Sequence, residues 1–389
     1  MDETKKQKQL VLLFHDFSKE HLGKDVFLVP YYIGKKLGYQ VKICFPKRKY
    51  NEELPKSYRN VSLESFYCPN TKGVKYYYPF FAMLWMLRHY KEIDFLMLFH
   101  FFFRTIFITE FFRMLNKRAF LYVKLDIPDF VVSKIDNRIS HNCVLAYLYK
   151  NFSEKVNLFS CETNEVFEDI KHSNLFPFIN DKISLMPNGF DDDYIKEIGI
   201  EILPYEKKKN LMLTVGRLGT QQKNTEMFLK AIERLPVSDW KYIFIGNIEK
   251  SFAKYISDFF DKNPNLKERV SFVGNIQDKK QLWDYYNNAK VFVLTSTWES
   301  YGLVLNEAAR FGDYIVTTKV GAAQDILSET NFGTFVRKDD NKQLSEILFN
   351  IQKNLMVERK CKLVDLSWAS YINKLLDDAK YCDFFNSMC

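Results

Sequence analysis

The chain has 389 residues, 47% of them hydrophobic and 27% charged, with a formal net charge of +8. That length is too great for one compact core and fits two domains, and the balance is that of a globular chain, not a disordered one. The seven cysteines (44, 68, 143, 161, 361, 382 and 389) are odd in number and form no CxxC pair, which argues for reduced cytosolic thiols and against a disulfide framework or a zinc site.

In chain order, the start Met1-Asp-Glu-Thr-Lys-Lys-Gln-Lys lacks a long apolar core, so Val11-Leu-Leu-Phe14 reads as a first strand and not a signal peptide. No run reaches ~18 consecutive apolar residues, so no spanning helix is predicted. Strands are predicted near 10–16, 39–45, 93–99, 119–125, 157–161 and 183–187 in the first half. In the second half they fall near 211–215, 241–245, 270–273, 291–295, 314–318 and 333–336. Many are near-continuous apolar runs, as expected of parallel strands covered on both faces, and their alternation with helices implies doubly wound α/β sheets. The charged stretch Glu201 to Lys209 reads as the separator of the halves, and the segment from Ser367-Trp368 to Ala379 reads as an amphipathic helix.

Two constellations carry chemistry. Leu211-Met-Leu-Thr-Val-Gly216 is a short strand ending in Gly, followed at once by Arg217 and, six residues on, by Lys223-Asn224-Thr225 opening a helix to Leu235. Asn224 or Thr225 is the expected N-cap. Arg217 and Lys223 then sit at the carboxyl end of a parallel strand, where ligands bind in open α/β sheets, and two cations there suit a diphosphate. Further on, Val291-Phe-Val-Leu-Thr-Ser296 leads into Glu299-Ser300-Tyr301-Gly302-Leu303 and a helix from about Gly302 to Phe311. Glu299 falls in the loop and Glu307 in the helix, and the free amides and dipole of the opening turn offer a phosphate cradle between two acceptors for sugar or ribose hydroxyls.

Together these resemble the glycosyltransferase family 4 pattern. The matching residues are Gly216-Arg217-Leu218, Lys223-Asn224, Val273-Gly274-Asn275, Thr295-Ser296, Glu299, Tyr301-Gly302, Glu307-Ala308, Gly312 and Gly321, with Pro187-Asn188-Gly189-Phe190-Asp191 resembling the family's domain junction. The resemblance implies a GT-B fold of two Rossmann-like doubly wound domains facing an interdomain cleft. Residues 1–188 would bind the acceptor, 189–366 the nucleotide sugar, and 367–389 would form a helix returning to the first domain. It implies that Arg217, Lys223 and the amides of Tyr301, Gly302 and Leu303 hold the diphosphate, with Gly216 and Ser300 beside them. Glu307 would accept from the ribose, Glu299 would contact the transferred sugar, and Asn275 and Ile276 would contact the base. The two cations would replace a divalent metal, so neither metal nor other cofactor is expected, and Asp191-Asp192-Asp193 reads as a junction or helix start. The family retains anomeric configuration, with a proposed front-face mechanism and the catalytic set Glu299, Arg217, Lys223 and His100.

In the first half the resemblance is mostly organisational. His100, ending Asp94-Phe-Leu-Met-Leu-Phe-His100, matches the position where some members place an active-site His, and it reads equally as a structural His in an aromatic setting. Lys124 and Asp126 stand where other members often show His, and Gly23 takes the place of a glycine pair in the first loop. The aromatic-basic segments from Pro79 to Tyr90 and from Phe101 to Arg118, the latter with Arg113, Lys117 and Arg118 near helical spacing, fit either peripheral contact with an anionic membrane or packing on the first sheet. No nucleic-acid module appears. The expected activity is transfer of a hexose or N-acetylhexosamine from a nucleotide diphosphate sugar to a glycan, lipid-linked or protein acceptor. The expected setting is bacterial-type cell-surface glycan assembly, cytoplasmic or peripheral on the inner face of the membrane. A catalytically silent GT-B subunit stabilising a partner enzyme, or an epimerase on the same architecture, are the alternatives.

Overall fold

A computed structural model describes residues 7–69, 74–173, 178–354 and 364–378. The starting residues 1–6, the last part of the expected C-terminal helix segment (379–389) and cysteines 361, 382 and 389 lie outside the described residues. The chain divides into two compact units, one of residues 1–191 with 367–389 and one of residues 192–366.

The first unit runs β1 (Gln9–Leu13), α1 (Asp25–Leu37), β2 (Gln40–Pro46), β3 (Ser57–Tyr58), β4 (Val61–Phe66), α2 (Val74–His89), β5 (Phe95–Phe99) and α3 (Phe103–Leu115). It continues with β6 (Phe120–Lys124), α4 (Asp129–Ser140), α5 (Cys143–Lys155), β7 (Leu158–Cys161), α6 (Asn164–His172) and β8 (Ile183–Leu185). The strand order is β3-β4-β2-β1-β5-β6-β7-β8, parallel throughout except where β3 meets β4. β5 (FLMLF) and β6 (FLYVK) are wholly buried, because the sheet is covered on both faces. Tyr78, Trp85, Ile106, Phe112 and Phe152 cover one face from α2, α3 and α5. Phe27 and Ile33 of α1 cover the other, joined by Trp368, Ile372, Leu375 and Leu376 of a last helix.

The second unit runs α7 (Asp192–Glu197), β9 (Lys209–Val215), α8 (Thr225–Ile232), β10 (Lys241–Ile245), α9 (Phe252–Lys262), β11 (Val270–Gly274), α10 (Lys279–Asn288) and β12 (Ala289–Leu294). Next come α11 (Leu303–Phe311), β13 (Tyr314–Thr317), α12 (Ala323–Thr330), β14 (Gly333–Phe335) and α13 (Asn341–Gln352), and the chain then returns to the first unit as α14 (Trp368–Leu376). Its strands are all parallel, in the order β11-β10-β9-β12-β13-β14. β9 starts the strand order in both directions, toward β10 on one side and β12 on the other. The β9/β12 boundary is therefore the topological switch point, where side loops diverge and leave a crevice for ligands.

Two sequence expectations change. β3 and β4 were not foreseen; Val61-Ser-Leu-Glu-Ser-Phe66 alternates in burial and lacks the apolar run that marks the other strands. The stretch Glu201 to Lys209 is not a separator but part of the second unit. Its Lys208 is buried, donating to Asp313 Oδ1 at 2.6 Å and to the Tyr286 carbonyl at 3.0 Å. Burial pushes the Asp313 carboxyl up to about 7, with Lys208 opposing the shift.

Candidate active site

The site grows from the loops at the second sheet's switch point. Beyond β9, Gly216 N–H donates to the Ile245 carbonyl at 2.9 Å, and Gly246 N–H donates to the Gly274 carbonyl at 2.8 Å. Gly246 has φ +138°, and a Cβ there would stand 1.7 Å from the Gly216 carbonyl oxygen. Only glycine permits this approach, and it fixes where the backbone leaves β9 for Arg217. Arg217 is exposed and donates from Nη2 to Gln222 Oε1 at 2.8 Å. The Lys223 stem lies over Gly216. Asn224 holds the N-cap position of α8, as expected, but makes no side-chain capping bond: its φ is +45°, and its side chain donates to Asp339 at 2.7 Å. Thr225, also named as a cap, lies inside the helix and accepts from Gly219 N–H at 3.0 Å.

The loop after β12 is stitched to this one. Thr295 Oγ1 donates to the carbonyls of Lys223 and Asn224 at 3.1 and 3.0 Å, and Thr297 N–H donates to the Gln222 carbonyl at 2.7 Å. Glu299 is the focus. Its Oε1 accepts from Lys223 Nζ at 2.5 Å and Ser296 Oγ at 2.6 Å, and its Oε2 from Gln222 Nε2 at 3.4 Å. A carboxylate offers about four acceptor positions, so Oε2 keeps capacity for a further hydroxyl. Ser300 follows, half-buried. Tyr301 is buried, with its hydroxyl on Asn306 Oδ1 at 3.2 Å and its carbonyl accepting from Ala322 N–H at 2.9 Å. Gly302 precedes α11 with φ +90°, which turns the chain sharply into Leu303 and the helix. The first-turn amides of a helix have no intrahelical acceptor, and no acidic residue stands in this first turn to neutralise its dipole.

Glu307, in α11, accepts on Oε1 from Lys279 Nζ at 2.7 Å and from Trp283 Nε1 at 3.0 Å. Both donors stand on α10 at i and i+4, so they share one helix face, and the ammonium lies 5.5 Å from the indole centroid. Asn275 and Ile276 lie in the loop between β11 and α10, four and three residues before Lys279. The second unit thus brings Gly216, Arg217, Lys223, Glu299 and the start of α11 together, with Glu307 held from α10. Gln222, Lys279 and Trp283 are additions that the sequence alone did not supply. The i,i+4 basic-aromatic pair after Asp278, which caps α10 through Lys280 N–H, is the signal that was available for two of them.

Gly23 and His100 lie in the first unit. Gly23 ends a 3-10 turn, Lys19–Gly23, in the loop between β1 and α1, and is exposed. His100 follows β5 with φ +66°, and Asp126 follows β6 with φ +44°, both in the left-handed region that is uncommon outside glycine and that His and Asp enter more readily than most. His100 Nδ1 approaches Asp126 Oδ2 at 3.6 Å. Burial, then the nearby Arg104, lowers His100 to about 4, so it is neutral at physiological pH. Beneath them Lys124 is fully buried, paired with Glu162 and 3.1 Å from Asp25 Oδ2. Burial raises Glu162 to about 7 and Asp126 to about 6, each opposed by Lys124. Lys124, placed by its sequence position with the acceptor chemistry, is an interior cation tying β6 and β7 to the start of α1.

Of the acidic run, Asp191 accepts from Arg59 at 2.5 Å and from Tyr32 at 2.7 Å, and Asp192 opens α7 and accepts from Arg310 at 2.7 Å. Among the described residues no group of three or more His, Cys, Asp or Glu is arranged to hold a metal, and no helix is long and apolar enough to cross a membrane.

Set beside known structures, the chain superposes over 98% of its length on 98% of Anabaena HepE, with a TM-score of 0.58 at 15% identity. The fold is GT-B. Within it, residues 196–360 match the family model described as glycosyl transferases group 1, so that domain fills the second unit. In sequence, the chain is 30% identical over 37% of its length, and 37% of the relative's, to an uncharacterized 41.2 kDa protein in the cps region of Klebsiella pneumoniae. It is 27% identical to the lipopolysaccharide core biosynthesis mannosyltransferase LpsB of Rhizobium meliloti, over 40% of this chain and 45% of that one. The matches thus span less than half the length of these curated relatives.

Proposed function

We propose that this protein is a glycosyltransferase that takes a hexose or N-acetylhexosamine from a nucleotide diphosphate sugar, with retention, and builds cell-surface glycan. One observation carries the reading: Arg217, Lys223 and the opening turn of the GT-B second unit's α11 meet at the switch point, with Glu299 on one side and Glu307 on the other. The relatives add support, since LpsB is a mannosyltransferase of lipopolysaccharide core synthesis and HepE was crystallised with UDP and glucose.

In this reading Arg217, Lys223 and the amides at Tyr301, Gly302 and Leu303 take the diphosphate. Charge grows on the leaving oxygen as the glycosidic bond breaks, so donors already in place stabilise the transition state more than the ground state. Gln222 holds Arg217 toward Glu299, and Lys223 shares its protons between Glu299 and the incoming phosphate oxygens. Glu299 accepts from a hydroxyl of the transferred sugar, and Glu307, fixed by Lys279 and Trp283, accepts from the ribose. Asn275 and Ile276 meet the base. His100 and Gly23 are assigned to the sugar and its loop in the first unit. The two cations carry the phosphate charge without a divalent ion, and the cytoplasm is the compartment that supplies the donor.

The test is to incubate the purified protein with a panel of nucleotide sugars and follow nucleoside diphosphate release, with and without EDTA. Release from one donor, unaffected by EDTA and lost in Lys223→Ala and Glu307→Ala, is expected. Release that survives both substitutions removes the site assignment, and abolition by EDTA removes the metal-free reading.

A further inference from the structure

The surface that α2 and α3 give the first unit is unusual for one that faces water. α2 and α3 bury one side each against the sheet, through Tyr78, Ala82, Trp85 and Met86 and through Ile106, Ile108 and Phe112. Their opposite sides are apolar as well. Tyr77, Phe80 and Leu87 stand exposed along α2, and Phe103, Phe107 and Met114 along α3, with Phe107 59% and Met114 77% exposed. The spacings are those of one helix face, with Leu84 and Phe111 half-buried between them. A single-chain domain rarely leaves the outward sides of two packed helices so apolar without a use for them.

The charge around this face is one-sided. α2 contains no acidic residue. The single acid of α3, Glu110, is engaged by Lys155 and Asn151. Arg88 and Lys91 stand exposed past the end of the α2 stripe, and Lys117 and Arg118 past the end of the α3 stripe, with Glu92 the acid beside them. Arg113, which the sequence grouped with these cations, is turned inward onto the carbonyls of Lys155 and Ala119 and onto Asn157, and so belongs to the fold.

We propose that the α2–α3 face docks on an anionic lipid surface, with the aromatic stripes entering the headgroup region and Arg88, Lys91, Lys117 and Arg118 meeting lipid phosphates. An apolar face rimmed by cations matches a bilayer of negative surface charge better than it matches a protein partner, whose core contacts are poor in Lys. The inference is independent of the donor site and of the transferred sugar.

The experiment is co-sedimentation of the full-length chain with vesicles of phosphatidylcholine alone or mixed with phosphatidylglycerol, at low and high salt. Binding is expected to the mixed vesicles, weakening with salt. Lys117→Gln with Arg118→Gln should weaken it roughly 30-fold, from about 1 kcal/mol per cation near the surface, and Phe107→Ser with Met114→Ser should abolish it. All four positions are exposed, so a matching melting temperature and nucleotide affinity verify the variants. Absence of binding at low salt overturns the proposal. So does binding that ignores the substitutions, or a dimer in gel filtration that Phe107→Ser dissolves, which would give the face to a second copy.

Discussion

Lys223 Nζ lies 2.5 Å from Glu299 Oε1, although 76 residues separate them in the chain. The pair joins the loop after β9 to the loop after β12, across the boundary where the strand order reverses. Both side chains are largely sheltered, at 16% and 8% exposure. The ion pair therefore ties the two loops together, and in the proposed function it also offers an ammonium to the donor's phosphates. Lys223→Ala is expected to lower kcat for donor turnover by roughly 10²–10³, the usual cost of deleting one preorganised donor to a growing anion. The check is nucleoside diphosphate release at saturating donor, with circular dichroism to confirm the fold; an unchanged kcat would show that the ammonium serves only Glu299.

Trp283→Phe tests how Glu307 is held. The ring is kept and one hydrogen bond to the carboxylate is lost. Nucleoside diphosphate affinity should fall about threefold to tenfold, in line with about 0.5–1.5 kcal/mol for one bond, while Lys279 still orients the group. Isothermal titration of wild type and variant gives the ratio.

The buried Lys124 gives a pH-dependent stability. Glu162 stays raised to about 7 even beside Lys124, so the folded chain holds its proton more tightly than the unfolded chain does. A group raised in this way loses its stabilising contribution as pH climbs through the folded value. Lys124→Met removes the cation paired with Glu162 and Asp25, and a loss of about 3–5 kcal/mol is expected. The loss should be larger at about pH 8 than at about pH 6, since only the lower pH lets Glu162 take up a proton to replace the missing charge. Urea melts at the two pH values decide it; an equal loss at both would mean that removing Lys124 leaves the titration of Glu162 where it was.

Gly246→Ala should act on turnover through the backbone. The new methyl meets the Gly216 carbonyl oxygen, and the left-handed φ adds strain. A loss of about 1–3 kcal/mol is expected, together with a drop in turnover, because Gly216 must shift and carries Arg217 with it. Thermal unfolding and the release assay read the two effects separately, and a full-rate variant would show that the loop tolerates the displacement.

The fold was largely legible because parallel strands covered on both faces leave a mark that needs no partner to be seen. Phe95-Leu-Met-Leu-Phe99 and Val291-Phe-Val-Leu294 are such runs, and each lies within a predicted strand. β4 escaped because its outward positions are polar. The long-range pairs escaped for a different reason. Lys208 belongs to a charged run that reads as a separator of the halves, and its acid is 105 residues away. Gln222 reads as a loop residue until Glu299 is brought beside it from 77 residues off. Arg113 kept helical register with Lys117 and Arg118, yet its guanidinium bonds the carbonyl that ends α5 and the one just before β6. Periodicity reports which side of a helix a residue leaves from; it does not report where a long side chain ends.

One last consequence concerns synthesis. Trp368, Ile372, Leu375 and Leu376 complete the packing of the first sheet, yet they leave the ribosome only after all of residues 192–366. Until then that face of the first sheet has α1 as its cover but lacks the part that the last helix supplies. A messenger truncated ahead of Ser367 is therefore expected to yield a chain whose amino-terminal half leaves that patch of its sheet open to water, which binding of a hydrophobic dye would read.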